Sequence, residues 1–354
     1  MTGHNSNIEA FVKLGEFLGE CCTAIENKTS THGENLEWFS KFSHTIETAH
    51  HHNGWFTQEN LLFALKQWSL ALSKDTLEHW LSNYDLSKNQ TKRVALILAG
   101  NIPLVGFHDL LAVLITGNTA IVKLSSNDKL LLPLIVDYLV FLNPNFTDSV
   151  RFTEERLTGF DAVIATGSNN TARYFEYYFG KKPNIIRKNR NSVAILTGKE
   201  SELELAALGE DIFRYYGLGC RSVSKLFVPK GYNFDRFFTA QFPHNQIINQ
   251  HKYANNYDYN KAVYLMSEFN ILDNGFLMLK EDASYASPIA TIFYETYATQ
   301  EVIKQRIASD KEAIQCVVSN GLLSNEIAFG KTQTPELWDY ADGVDTVEFL
   351  LKTS

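Results

Sequence analysis

Cys220 is the side chain best suited to covalent chemistry in this sequence of 354 residues. It stands directly after the run Gly217-Leu-Gly219. Residues 203–216 before it have the apolar spacing of a helix, and residues 224–228 after it read as a short strand. The cysteine is therefore predicted at a helix-to-strand junction, where glycines let the backbone bend tightly and leave N–H groups available to an oxyanion.

Two interpretations of Cys220 follow from the residues alone. A thiolate attacks well only when it is reachable and its charge is supported. Arg221 and Lys225 could supply positive potential nearby, or could simply be solvated. A lone cysteine is otherwise a small buried hydrophobe. The elements that surround the cysteine decide between these interpretations.

Apolar runs of strand length alternate with helix-length segments from residue 93 to residue 196. Continuous apolar runs are typical of buried parallel strands, and their alternation with helices predicts a doubly wound α/β sheet. The predicted strands are 93–98, 119–123, 161–165, 184–187 and 192–196, and the predicted helices are 104–115, 128–142 and 171–179.

Two further parts are predicted outside this region. Residues 1–86 are expected to be helical, and the run His50-His51-His52 is expected in a polar loop rather than a metal site. The segments after the cysteine, with the helix before it, predict a second α/β unit. These segments are predicted strands at 261–266, 289–293 and 313–318 and a predicted helix at 300–308.

Polar residues at two predicted strand ends could bind a nucleotide, although no G-x-G-x-x-G fingerprint follows the first strand. Lys123 ends a strand just before Ser125 and Ser126, so its ammonium could meet a ribose or a phosphate. Gly167-Ser168 opens a helix, whose N–H groups and dipole favour anions. The alternatives are a surface lysine and an ordinary helix cap.

The composition, 45% hydrophobic and 20% charged, is ordinary for a soluble globular protein, and the length predicts about two domains. A net charge of −8 argues against nucleic acid as the main partner and gives no basic membrane patch. The polar start predicts no signal peptide, and no apolar run approaches the ~20 residues that span a bilayer. The four cysteines are scattered, so we expect a cytoplasmic protein without disulfides or a metal.

Five short motifs occur in an order that resembles the aldehyde dehydrogenase superfamily. More closely, they resemble the acyl-CoA reductases of the bacterial bioluminescence type, the LuxC family, from about Thr57 to the C-terminus. The segment Asp339–Thr346 is also similar to that family. The five motifs are Ala99–Pro103, Thr116–Asn118, Val122–Ser126, Ala165–Ser168 and Gly217–Cys220.

The resemblance implies an α/β, aldehyde-dehydrogenase-like fold with a helical N-terminus, a Rossmann-type cofactor domain and an α/β catalytic domain. We expect the helical part and the dinucleotide-binding domain within residues 1–197, with a tail of residues 331–354 returning to them. The catalytic domain is expected at residues 198–330, where it carries Cys220.

The resemblance also implies the catalytic residues. Cys220 resembles the nucleophile that becomes acylated. Asn101 resembles the amide that, together with the backbone N–H of Cys220, holds the oxyanion. An amide suits this task because it donates a hydrogen bond without introducing a titrating group.

The implied cofactor site lies at other matching positions. Lys123 resembles the residue that holds the adenosine ribose, with Ser125 beside it. Gly167-Ser168 resembles the turn at the pyrophosphate. Ser126 falls where NAD-preferring relatives carry a glutamate, and a serine there removes repulsion against a 2′-phosphate, so NADPH is the expected cofactor.

Two positions depart from the family pattern. Aldehyde-oxidising relatives carry a water-activating glutamate about 33 residues before the cysteine, but Arg187 stands there and residues 186–192 contain no acid. Hydrolysis of an acyl-enzyme should therefore be slow, which favours exchange of the acyl group with a thiol such as CoA. Relatives hold the nicotinamide ribose with a glutamate where this chain has Ser284, and Glu281 or Asp282 could substitute.

The resemblance implies NADPH-dependent reduction of a fatty acyl-CoA, expected to be long-chain, to an aldehyde through a thioester on Cys220. Two alternatives stay open: a partner-dependent or non-catalytic acyl-accepting component, and a reductase of a small acyl thioester or acyl phosphate. The expected partners are an acyl-CoA or acyl-protein donor, an acyl-protein synthetase and further copies of the chain. His108 is expected to be a packing residue rather than part of a substrate channel.

Overall fold

The computed structural model describes residues 2–29 and 35–353, and the described chain divides into two compact units. The first unit runs to Lys188 and resumes at Glu336, and the second unit runs from Asn189 to Pro335. The boundaries between the two units therefore fall at 188/189 and 335/336. The boundaries expected from the sequence are 197/198 and 330/331.

Helices form the N-terminal part of the first unit, as predicted, although residues 1 and 30–34 lie outside the described chain. The prediction that His50–His52 lie in a loop is wrong, because they form the last turn of a helix whose Ile46 and Ala49 are buried. In the described residues, no helix has both the length and the apolar character needed to cross a bilayer. The helices are α1 Thr2–Glu26, α2 Leu36–His52, α3 Gln58–Ala71 and α4 Lys74–Leu81.

A five-stranded parallel sheet forms the rest of the first unit, in the order β3-β2-β1-β4-β5. Val94, Ala95 and Leu96 are all fully buried, which explains the continuous apolar run of the first strand. The chain first extends the sheet on one side of β1 and then on the other, so a switch point lies between β1 and β4. The elements are β1 Arg93–Ile97, α5 Phe107–Ile115, β2 Thr119–Lys123, α6 Leu131–Leu142, β3 Val150–Phe152, β4 Ala162–Thr166, α7 Asn169–Phe179 and β5 Asn184–Arg187.

The second unit contains a six-stranded sheet in the order β11-β6-β7-β10-β9-β8. Its strands are parallel except for β8, which runs antiparallel to β9. The elements are β6 Asn191–Ile195, α8 Glu202–Phe213, β7 Val223–Pro229, α9 Asp235–Gln241, α10 His251–Met266, β8 Ile271–Asp273, β9 Met278–Glu281, β10 Thr291–Tyr297, α11 Gln300–Ser309 and β11 Ile314–Val318.

Two differences from the sequence predictions lie in this unit. Strand β6, expected with the cofactor domain, pairs with β7 and β11 of the second sheet. The strand predicted at 261–266 is wrong, because this segment ends helix α10. Tyr253, Tyr257 and Tyr264 are buried at helical spacing along α10, so its apolar C-terminal turns belong to a helix.

The chain returns to the first unit through the segment Asp339–Thr346, which precedes helix α12 (Thr346–Lys352). Trp80 Nε1 donates a hydrogen bond of 2.7 Å to the Tyr340 hydroxyl. The Tyr84 hydroxyl lies 2.8 Å from that of Tyr340 and donates to the Asp345 carboxylate at 2.7 Å. Asp345 in turn caps α12 by accepting from the Glu348 N–H. These bonds fix the returning segment against α4 and the residues that follow it.

Candidate active site

Cys220 lies at the predicted junction between α8 and β7, and its side chain is exposed. The other three cysteines, Cys21, Cys22 and Cys316, are buried. The Ser192 hydroxyl donates a hydrogen bond of 2.9 Å to the carbonyl of Cys220 and so ties it to the start of β6. Cys220 therefore meets the access requirement for a nucleophilic thiol, and the alternative of a buried hydrophobe is wrong.

The backbone just before the cysteine is left-handed over three consecutive residues. The φ angles are 55° at Tyr215, 58° at Tyr216 and 74° at Gly217. Glycine adopts this conformation readily, but each non-glycine residue pays about 1–2 kcal/mol for it. Tyr215 is buried, and the Tyr216 ring lies 6.2 Å from that of Tyr253. Strain of this kind persists where packing holds it and is concentrated at functional sites.

The residues just after the cysteine are anchored to a second loop. Arg221 Nε donates a hydrogen bond of 2.6 Å to the carbonyl of Thr332. Gln333 Nε2 lies 3.5 Å from the Ser222 hydroxyl and 3.1 Å from that of Thr332. Arg221 therefore holds a neighbouring backbone group as well as carrying a charge next to Cys220.

Lys225 is completely buried, which the sequence did not indicate. Its ammonium is paired with the Glu295 carboxylate and donates to the carbonyls of Asp282 at 2.5 Å and Ser284 at 3.3 Å. Burial lowers the pKa of Lys225, and the bond to Glu295 opposes that shift. The charge is therefore compensated inside the second unit, and the suggestion that Lys225 is solvated is wrong.

The loop from Asp282 to Tyr285 contains the position where the resemblance implies a contact to the nicotinamide ribose. The Ser224 hydroxyl donates to the Tyr285 carbonyl at 2.8 Å, so β7 holds this loop through both Ser224 and Lys225. The Asp282 carboxylate is paired with Lys280 and accepts from the Ser284 N–H at 2.9 Å. Hydrogen bonding to Lys280 lowers the pKa of Asp282 to about 2. Asp282 is thus engaged within its own loop.

The predicted cofactor residues of the first unit, and Asn101, which is predicted to be catalytic, all lie at or just after the carboxyl ends of neighbouring parallel strands. Because these ends share one edge of a sheet, the structure brings the residues together there, on both sides of the switch point. A Cβ atom added at Gly100 would lie 2.7 Å from the Ser125 side chain, so the loops after β1 and β2 touch. The residues are Asn101 after β1, Lys123, Ser125 and Ser126 at the end of β2, and Gly167 and Ser168 after β4.

Gly167-Ser168 opens helix α7, as predicted. The Ser168 hydroxyl caps the helix by accepting from the Thr171 N–H. A Cβ atom at Gly167 would lie 3.0 Å from Phe175 and 3.1 Å from Thr171, so a larger residue would crowd the turn. The first turn of this 11-residue helix presents N–H groups suited to an anion.

The residues at the end of β2 are more open. Lys123 Nζ lies 3.5 Å from the carbonyl of Glu155, and the Ser125 hydroxyl accepts from the Asn127 N–H at 3.2 Å. Ser126 is exposed and brings no charge to this edge. A cation and hydroxyl groups thus stand where the resemblance implies a ribose.

Asn101 is exposed in the loop between β1 and α5. That loop is fixed by the Leu104 N–H, which donates to the Asp128 carboxylate at 3.3 Å. Burial raises the pKa of Asp128 to about 6. Asn101 and Cys220 belong to different units, and their convergence on one carbonyl oxygen stays a prediction.

Arg187, at the position where the resemblance implies a water-activating glutamate in aldehyde-oxidising enzymes, is buried in an ion pair with Asp109. Its Nη2 also donates to the Thr346 hydroxyl at 3.2 Å. His108, beside Asp109, donates from Nε2 to the Leu337 carbonyl at 2.8 Å, and burial lowers its pKa. His108 packs in an aromatic cluster, as expected, and both residues have structural roles. The rings around His108 are those of Trp68, Trp80 and Tyr340.

Among the described residues, no group of three His, Cys, Asp or Glu side chains is arranged to hold a metal ion. The candidate site residues themselves offer a thiol at Cys220, an amide at Asn101, an ammonium group at Lys123 and serine hydroxyls. Such a set can carry a covalent acyl group and stabilise an oxyanion.

Solved structures with a similar fold include aldehyde dehydrogenases. Aldehyde dehydrogenase 21 from Physcomitrella patens, in complex with succinate, is 12% identical with a TM-score of 0.58 over 89% of this chain and 77% of that one. Indole-3-acetaldehyde dehydrogenase AldA from P. syringae, in complex with NAD+ and IAA, is 14% identical with a TM-score of 0.55 over 91% and 72%. The chain therefore has the aldehyde dehydrogenase-like α/β fold.

Comparison of sequences narrows the relationship. The long-chain acyl-protein thioester reductase of Aliivibrio fischeri is 23% identical over 245 residues, which cover 63% of this chain and 50% of that protein. The match thus spans about half the length of this relative. The sequence model of the family described as acyl-CoA reductase (LuxC) matches residues 13–242. This chain belongs to the acyl-CoA reductase (LuxC) family.

Proposed function

We propose that this chain reduces the acyl group of a long-chain fatty acyl thioester to an aldehyde, with Cys220 as the acyl acceptor and NADPH as the reductant. The observation that carries the proposal is the exposed thiol of Cys220, which lies three residues after a left-handed, strained backbone run. The other three cysteines are buried, so exposure distinguishes Cys220 from them.

The proposed reaction has two parts. The Cys220 thiolate attacks the carbonyl carbon of the acyl thioester, a bond from carbon to Sγ forms, and the donor thiol leaves. Addition of a hydride and a proton to the enzyme thioester then gives a thiohemiacetal, which collapses to the aldehyde and the Cys220 thiol. In both parts the Asn101 amide and the Cys220 N–H donate to the carbonyl oxygen as it gains charge.

The carboxyl edge of the first sheet fits a nicotinamide dinucleotide. Lys123, Ser125 and Ser126 would hold the ribose end, and Gly167 and Ser168 would hold the pyrophosphate at the start of α7. Two observations support this fit: the cramped turn at Gly167 and the uncharged, exposed side chain of Ser126. When bound, the dinucleotide supplies the hydride. The absence of a carboxylate at Ser126 favours NADPH over NADH.

The environment of Arg187 supports a reductase over a hydrolytic aldehyde dehydrogenase. Hydrolysis of an acyl-enzyme needs a general base to activate water, and the resemblance implies a glutamate in that role in aldehyde-oxidising enzymes. Arg187 occupies that position in the sequence and is buried against Asp109. The acyl group on Cys220 would therefore persist until it is reduced by hydride, because its hydrolysis is slow.

The acyl donor is a fatty acyl-CoA or a fatty acyl-protein, both of which present the same thioester to Cys220. The Aliivibrio fischeri relative is named for an acyl-protein thioester, which favours a donor protein such as an acyl-protein synthetase. In that case Cys220 would still be acylated, but free acyl-CoA would react slowly.

Labelling of the protein tests the proposal directly. The purified chain is incubated with radiolabelled long-chain acyl-CoA, and acylated Cys220 is measured by peptide mass spectrometry. We expect label on wild type and on Cys316→Ala, which removes a buried thiol, but not on Cys220→Ala. Oxidation of NADPH and of NADH is then followed with acyl-CoA substrates of several chain lengths.

Three results would contradict the proposal. Label that persists in Cys220→Ala would move the acyl site elsewhere. An acylated wild type that oxidises neither nucleotide would favour a non-catalytic acyl acceptor. Faster reduction of short acyl thioesters or acyl phosphates than of long-chain substrates would favour a metabolite reductase.

A further inference from the structure

The Asp211 carboxylate, on helix α8, is fully buried in the second unit. Its Oδ2 accepts from the Gly330 N–H at 2.6 Å. Its Oδ1 accepts from the N–H of Thr332 at 2.9 Å and from the Thr332 hydroxyl at 2.8 Å. One side chain therefore fixes the whole turn from 330 to 332 onto α8.

The same turn holds the residue after the nucleophile. The Thr332 carbonyl accepts from Arg221 Nε at 2.6 Å. Thr332 is itself fully buried, so its backbone cannot follow Arg221 without breaking the bonds to Asp211. A continuous chain of hydrogen bonds runs from Asp211 through Thr332 to Arg221.

This chain of bonds joins the two ends of the strained segment. Asp211 lies four residues before Tyr215, the first left-handed residue, and Arg221 directly follows Cys220. A strained backbone conformation persists only where the surrounding structure prevents it from relaxing. The turn at Thr332 prevents this because it is bonded to both ends.

We propose that Asp211, acting through Thr332 and Arg221, is the positioning device that keeps the Cys220 turn in its reactive conformation. Asp211 is a positioning residue because its contacts go to the turn and not to the reacting atoms. The inference deepens the proposed function and rests on it for the identity of the acyl donor. The geometry of the turn itself can be tested without any substrate.

The test measures alkylation of Cys220 by iodoacetamide in Asp211→Asn at pH 7.5. The asparagine keeps the size of the side chain but places an amide NH₂ among N–H donors. Loss of the fixed turn should slow alkylation of Cys220 by about tenfold or more, because the thiolate is the reacting species and the turn supports its charge. Peptide mass spectrometry separates Cys220 from the three buried cysteines.

Glu200→Gln is the matched control. The Glu200 side chain is also buried and also accepts three hydrogen bonds, from the N–H and hydroxyl of Thr197 and from the N–H of Gly198. These partners lie just after the end of β6, whereas Cys220 lies before the start of β7. Glu200→Gln should lower the melting temperature as Asp211→Asn does, yet alkylate at the wild-type rate within about twofold.

Variants of Thr332 and Arg221 keep the inference testable if Asp211→Asn does not fold. Thr332→Val removes the hydroxyl and should slow alkylation, and Thr332→Ser should restore it. Arg221→Gln, at a partly exposed position, should slow alkylation without preventing folding. With acyl-CoA and NADPH, Thr332→Val should lower kcat while leaving KM within about twofold of wild type.

Wild-type alkylation rates in Arg221→Gln and Thr332→Val would overturn the inference, and so would equal slowing in Glu200→Gln and Asp211→Asn. An inactive wild type whose Cys220 alkylates as described would instead count against the proposed function alone. The two ideas therefore fail by different results.

Discussion

The Asp109–Arg187 pair gives a prediction that the structure makes quantitative. The exposed fractions of these side chains are 3% for Asp109 and 9% for Arg187. Replacing Arg187 by Met leaves an uncompensated buried carboxylate, which costs about 3–5 kcal/mol. The lost bond to the Thr346 hydroxyl adds about 1 kcal/mol. Domains of this kind are stable by only about 5–15 kcal/mol, so Arg187→Met should be severely destabilised.

The double variant should behave differently. Asp109 Oδ1 is buried and has no hydrogen-bond partner among the described residues, so the native pair is incompletely compensated. Replacing both members, Asp109→Leu with Arg187→Met, removes the charges together and should return stability to within about 1–2 kcal/mol of wild type. Arg187→Glu, which would imitate the glutamate of aldehyde-oxidising relatives, should be worse than Arg187→Met because two buried carboxylates would then face each other.

Urea unfolding followed by tryptophan fluorescence measures these free energies of unfolding. The exposed pair Arg93–Asp161 is the control, with exposed side-chain fractions of 59% and 46%. Arg93→Met should cost less than about 1 kcal/mol. The reasoning fails if Arg187→Met is as mild as Arg93→Met, or if the double variant is as unstable as the single one.

Three further predictions concern the first unit's loops and the turn at Cys220. Asn101→Ala should still accept part of the acyl label but reduce it about 100- to 1000-fold more slowly; unchanged NADPH oxidation would remove Asn101 from the mechanism. Burial raises the pKa of Asp128 from 3.8 to about 6, so the folded protein binds the Asp128 proton more tightly than the unfolded chain does. Protonated Asp128 therefore contributes stability below about pH 4, and this contribution is lost as the pH rises from about 4 to 6. The free energy of unfolding of Asp128→Asn, relative to wild type, should therefore rise by about 1–3 kcal/mol between pH 4 and pH 7. The same difference in melting temperature between variant and wild type at both pH values would contradict this. Gly217 (φ 74°) and Gly231 (φ 79°, with nothing close to an added Cβ) are both left-handed, so Gly217→Ala and Gly231→Ala should each lower the free energy of unfolding by about 1–2 kcal/mol. Only Gly217→Ala should slow acylation of Cys220. Equal acylation rates in the two variants would show that the turn does not affect the reaction.

The parallel strands were predictable because their signal is local. Strand β1 and strand β4 are buried on both faces, so each appears as an unbroken apolar run. The helix-to-strand junction at Cys220 was predictable for the same reason, since Gly217 marks the turn in the sequence itself, whereas the sequence left open whether the thiol is exposed. Helix α10 was missed because its last turns are as apolar as a strand, and only the buried spacing of Tyr257 and Tyr264 identifies a helix.

What could not be predicted depends on partners far apart in the chain. Lys225 is buried because Glu295, 70 residues later, compensates its charge. Left-handed backbone is usually occupied by glycine, but here Tyr215 and Tyr216 adopt it. The residue types at these positions therefore do not predict the conformation. The two bonds that Asp211 makes to Thr332 span 121 residues. The compensated charge of Lys225, the strained backbone at 215–217 and the hydrogen bonds of Asp211 all depend on the tertiary structure.

The division of the chain has a consequence for the order in which its parts fold. Residues 189–335 are continuous, whereas the first unit needs the segment from Glu336 onwards to form the bonds of Trp80 with Tyr340 and of Arg187 with Thr346. Domains usually complete in the order in which they emerge. Here the second unit can close its sheet from its own continuous residues while the first unit still lacks helix α12, so the turn at Cys220 can form before the first unit is finished.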